Sequence, residues 1–130
     1  TKEFFALNDK FRLELFEVAA HQNVEGVIFT FCYSRGEDDR FVQEVIDRVE
    51  KQGGVVHFVQ MYCQREQLVR RVENDSRKNY GKIKTKGALD KALNESDLLS
   101  PIPFVENLRI DNTYLSAKQV AQQIQKYYQL

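Results

Sequence analysis

Two arginines six positions apart, Arg71 and Arg77, followed by Lys78 and Lys82, are the residues of this chain whose type and spacing best suit chemistry. A guanidinium group offers a flat fork of N–H donors that can bind two phosphate oxygens at once, while a lysine ammonium group acts as a point charge. Such a set suits binding of an anion. The four residues lie within Arg70 to Lys91, RRVENDSRKNYGKIKTKGALDK, where eight basic residues face three acidic ones. An anion is the natural partner of that stretch, and a solvated basic face is the alternative.

Other polar residues invite weaker readings. Thr30 and Arg35 fall near the C-terminal end of an expected strand, where ligands collect in open α/β sheets, so Arg35 is a candidate contact for a substrate or a phosphate. Asp38 and Asp39 could serve as magnesium ligands or as a base, but acids in the first turn of a helix are favoured there by the helix dipole, and capping is the preferred reading. Asn112 and Thr113 suit a turn closed by a side-chain hydrogen bond. His21 and His57 have no partner at metal-ligand spacing, and His57, inside an expected buried strand, reads as a core histidine. With Cys32 and Cys63 they assemble no zinc site and no nucleophile, so no metal-ligating residues are assigned.

The elements that must position these groups follow from periodicity. Phe4, Leu7, Phe11, Leu15 and Val18 recur every three or four residues and predict a helix over Glu3 to Ala20 that buries this stripe, with Phe5, Leu13 and Phe16 widening it. Gly26 to Tyr33, GVIFTFCY, is β-branched and aromatic with little polar alternation, which predicts a central strand covered on both faces. A helix through Phe41, Val42, Val45, Ile46 and Val49 follows, ended by Gly53 and Gly54. Val55 to Tyr62 predicts a second buried strand, parallel to the first because a helical crossover joins them. Residues 64–99 form a basic, mostly helical segment with few apolar anchors. Asn107 to Asp111 predicts a short third strand, and Ser116 caps a closing helix lined by Val120, Ile124, Tyr127 and Tyr128.

Length and charge bound the class. With 130 residues the chain is expected to be a single α/β domain, and nineteen basic residues balance nineteen acidic ones. The balance conceals a polarity: residues 1–50 carry eleven acids and six bases, residues 64–91 nine bases and four acids. No apolar run reaches the roughly 20 residues that span a bilayer, and two cysteines suit reduced thiols, so a cytoplasmic protein without membrane partners is expected. The basic stretch interleaves only Tyr80 as a stacking side chain, which argues against nucleic acid as partner.

Four segments, EFFALNDKFRLELFEVA, EGVIFTFCYSRGEDDRFVQEVI, GGVVHFVQMYCQREQLVRRV and LRIDNTYLSAKQVAQQI, give the chain a resemblance to small P-loop kinase-like ATPases, of the kind labelled shikimate kinase-like or AAA family. The resemblance implies a three-layer fold with a parallel sheet, and ATP and Mg²⁺ as cofactors. It also implies a lid, residues 64–99, whose Arg71 and Arg77 act catalytically on phosphates aided by Lys78 and Lys82. Asn112 and Thr113 would then lie beside the adenine ring, and Arg35 beside a small-molecule acceptor. The match covers only the later two thirds of that family's pattern. A Walker A loop, G-x-x-x-x-G-K-[ST], does not occur in this sequence, so the resemblance leads one to expect the P-loop and the first, central strand ahead of Thr1. Two functions follow as expectations: ATP-dependent phosphotransfer or hydrolysis, or a non-catalytic module that binds a phosphorylated ligand or partner.

Overall fold

A computed structural model of the chain describes residues 1–22, 24–77 and 81–130. Lys78 and Tyr80, singled out above, lie outside the described residues. The fold is mixed α/β, with five α-helices and a two-stranded parallel sheet among the described residues. The chain forms two compact units, Thr1–Val56 and His57–Leu130. No helix among the described residues is long and apolar enough to cross a membrane.

The first unit pairs helix α1 (Lys2–His21) with helix α2 (Asp39–Lys51). Thr1 caps α1 by accepting the Phe4 N–H at 3.4 Å, and Arg48 of α2 donates to Glu17 of α1 at 2.9 Å. Of the expected apolar stripe of α1, only two of the widening residues become buried, and its central line does not. Leu13 and Phe16 are buried, whereas Phe4, Leu7, Phe11, Leu15 and Val18 are exposed. Both sets have helical spacing, but they lie on opposite sides of the helix, and only the side turned toward its packing partners is covered.

Gly26 to Tyr33 is a second correction, since the segment joins no sheet among the described residues. It is held by its side chains instead. Phe29 packs edge-on against Phe16 at 5.1 Å and stacks on Phe31 at 5.5 Å, and Phe31 meets Phe41 of α2 at 5.9 Å. Arg12 lies over the Phe29 ring at 5.4 Å. Phe29 and Phe31 thus touch the helices yet stay 37% and 38% exposed, and Ile28 is 97% exposed. At the end of α2, Gly53 adopts φ +81°, the left-handed conformation that lets its N–H and that of Gly54 close back on Glu50 and Val49.

The second unit is built on strands β1 (Phe58–Tyr62) and β2 (Asn107–Asp111), parallel and in register from Phe58 opposite Asn107 to Tyr62 opposite Asp111. The ladder therefore joins the second and third expected strands rather than the first and second. Helices α3 (Arg65–Val72) and α4 (Lys86–Glu95), with a 3-10 turn at Asp75–Arg77 between them, form the connection, and α5 (Ala117–Tyr128) packs on β2. Ile110, Val72, Leu89, Ile102 and Val120 are its buried apolar residues. Neither strand is fully covered: Met61 and Tyr62 are exposed, and only Ile110 of β2 is buried. Among the described residues the two strands have no further sheet neighbour, and the expected burial of Val55 to Tyr62 is not reached.

The cap of α5 matches expectation. The Ser116 hydroxyl accepts the Gln119 N–H while the Gln119 side chain accepts the Ser116 N–H at 2.8 Å, a reciprocal capping box. His57 departs from it: the residue precedes β1, is exposed, and rests against the Tyr128 ring at 4.2 Å. The segment from Val55 stays outside the ladder because β2 offers no partner before Asn107.

Candidate anion-binding site

The C-terminal ends of β1 and β2 are tied together by side chains of the turn that follows β2. The Asn112 N–H donates to the Tyr62 carbonyl at 2.8 Å, extending the ladder by one bond. Thr113, buried, places its hydroxyl so that it accepts the Gln64 N–H at 2.9 Å at the entry to α3 and donates to the Asp111 carboxylate at 2.5 Å. Asp111 also accepts the Thr113 N–H at 3.0 Å, and these two hydrogen bonds hold its carboxyl below the usual carboxylate range. The expected side-chain-closed turn is present, with Asp111 rather than Asn112 as the closing residue.

Asn112 has another engagement. Its side-chain oxygen accepts from Nη1 of Arg71 at 2.8 Å, and its carbonyl accepts from Nη2 at 2.7 Å. The guanidinium, half-buried on the last turn of α3, is thereby held by two neutral acceptors, which use two of its five N–H donors and, unlike a carboxylate, do not neutralise its charge. Arg65 of the same helix is different. It meets the Asp90 carboxylate at 2.6 Å, and Lys86 meets the other oxygen of that carboxylate at 2.7 Å, so the charges there cancel in part.

Beyond α3 the chain folds over a short distance. Asn74 accepts the Ser76 N–H at 2.9 Å, and Arg77 donates through Nε to the Ile83 carbonyl at 3.1 Å. Together Arg71, Asn74, Ser76, Arg77 and Lys82 line an open depression of about 400 Å³. Three cationic side chains and two neutral polar ones meet there, and no carboxylate is among the described residues of the lining. An arrangement of this kind concentrates positive potential where an anion can enter from solvent.

The structure thus brings together Arg71, Arg77 and Lys82, joins Asn112 to them through Arg71, and sets Thr113 one residue further on. Lys78 lies outside the described residues. Arg35 stands in the first unit, exposed on a turn. The acids near it make no side-chain cap on α2, contrary to the capping reading, and close the preceding turn instead. Asp38 accepts the Ser34 N–H at 2.7 Å, and Asp39 accepts the Gly36 N–H at 3.1 Å together with a short hydrogen bond from the Tyr33 hydroxyl. Burial and that bond push Tyr33 up to about 12, and the Tyr33 and Gly36 donors hold Asp39 below its ordinary range. Among the described residues no three His, Cys, Asp or Glu side chains gather as a metal group.

The contact that sequence reasoning misses is the one between Arg71 and Asn112. The Asp-Asn-Thr run after a strand signals a polar turn, but a bond across 41 positions has no local signature. Comparison with protein-family models, with curated proteins and with solved structures finds no match.

Proposed function

We propose that the protein binds the phosphates of a nucleotide, ATP in the first instance, in the depression lined by Arg71, Arg77 and Lys82. The convergence of these three cations on one open depression carries the reading. Charge-assisted hydrogen bonds from guanidinium forks are the strongest contacts available to a phosphate in water, and the neutral anchoring of Arg71 leaves its charge for that purpose. The resemblance to P-loop kinase-like ATPases adds the chemistry: ATP-dependent phosphotransfer to a small molecule, with Mg²⁺ brought on the nucleotide's phosphates. In that reading Arg71 and Arg77 stabilise charge on the transferred group and Lys82 steadies the phosphate tail.

The non-catalytic alternative has an observation in its favour. Among its described residues the lining supplies cations and neutral donors but no carboxylate or imidazole that could accept a proton from an attacking hydroxyl, a set sufficient for binding a phosphorylated ligand. Calorimetric titration with ATP, with and without Mg²⁺, tests the shared claim, and assay of phosphate transfer or release separates the two readings. Arg71→Ala and Arg77→Ala should each weaken ATP binding by about 10- to 100-fold, the worth of a charge-assisted hydrogen bond. Binding that is absent in the wild type, or unchanged in both variants, would overturn the proposal.

A further inference from the structure

We infer that Asn112 is a positioning residue for the anion site, holding the Arg71 guanidinium at the depression through two neutral acceptors so that the charge reaches a phosphate undiminished. The inference rests on reading the depression as a phosphate site, and it gives Asn112 work distinct from contact with a base.

The geometry is specific. Both acceptors belong to one residue, the side-chain oxygen at 2.8 Å from Nη1 and the main-chain oxygen at 2.7 Å from Nη2, so the pair fixes the plane of the fork as well as its place. Asn112 is itself held, because its N–H bonds to the end of β1 and its two neighbours, Asp111 and Thr113, are bonded to each other, while the Thr113 hydroxyl also accepts the Gln64 N–H. A long arginine on the last turn of a helix would otherwise sample many rotamers, and ordering it in advance lowers the entropy lost when an anion binds. The residue type matters too. An aspartate at 112 would offer equivalent acceptors but would pair its charge with Arg71, as Asp90 does with Arg65.

The experiment is a double-mutant cycle read as the dissociation constant of inorganic tripolyphosphate, with the thermal midpoint of each protein measured alongside. Asn112→Ala should weaken binding by about 3- to 10-fold, since one of the two contacts is lost. In an Arg71→Ala background the same change should alter binding by less than about 2-fold, because Asn112 acts only through the arginine. Asn112→Asp, which retains the acceptor and therefore the fold, should keep the thermal midpoint and still bind more weakly than wild type. A lowered midpoint with wild-type affinity in Asn112→Ala, or an equal loss in the Arg71→Ala background, would overturn the positioning role alone. Wild-type protein that fails to bind tripolyphosphate would overturn the phosphate site and this role with it.

Discussion

Gly26 to Tyr33 and Phe58 to Tyr62 are both runs of β-branched and aromatic residues, yet only the second becomes a strand. The second finds β2 alongside, in parallel register over five residues, and the Asn112 N–H extends the ladder past its end. The first has side-chain partners in Phe16 and Phe41 but no backbone partner among the described residues. Propensity describes how well a residue fits a pleated surface, and a strand exists only where another supplies the hydrogen bonds. The difference also decides where a site can be built. The end of the true ladder is fixed well enough for Asp111, Asn112 and Thr113 to hold an arginine, whereas the other run ends at Tyr33 in a turn.

The sharpest way to break this comparison is to remove the same side chain from each region. Ile110→Ala, in the buried position of β2, should cost about 2–5 kcal/mol, while Ile28→Ala, almost wholly exposed, should stay within about 0.5 kcal/mol, both read by urea unfolding. Equal losses would mean that Gly26 to Tyr33 is covered in solution. A smaller effect comes from Thr113→Val, which keeps the volume but strands the Gln64 N–H and frees Asp111. It should destabilise the second unit by about 1–3 kcal/mol and loosen Arg71, seen as weaker tripolyphosphate binding.

The smallest effect is that of pH, and it touches both regions. Asp39 and Asp111 have carboxyls held below their ordinary range in the folded chain, so each contributes stability that is present above the unfolded carboxylate range and lost as pH falls through the folded value. Tyr33 has the opposite sense: its raised folded value means a contribution intact below the ordinary tyrosine range and lost as pH rises toward about 12. Acid unfolding followed by amide exchange should open both turns together, and alkaline titration should disturb only the Tyr33 turn. Tyr33→Phe should remove a tyrosine that ionises only at about 12.

Much of the local structure was legible beforehand because its causes are local. Ser116 with Gln119 three residues on caps α5, and Gly53 and Gly54 close α2. The cationic cluster was legible in part, since Arg71, Arg77 and Lys82 lie within twelve consecutive positions and a short fold brings them together. What could not be read was which of its apolar residues α1 would cover. Spacing marks Phe4, Leu7, Phe11, Leu15 and Val18 as the stripe and Leu13 with Phe16 as its widening, and nothing in the helix itself says that only the latter pair would be covered.

The sequence by itself determined the helices with their caps, the β-prone runs, and a basic stretch suited to phosphate, because propensity, capping and charge act between near neighbours. Only the tertiary structure decided which β-prone run became a strand, which face of α1 was buried, and that Asn112 holds Arg71. Those outcomes depend on groups far apart in the chain, and hydrogen bonds and apolar burial stabilise them only once folding has placed the partners within reach.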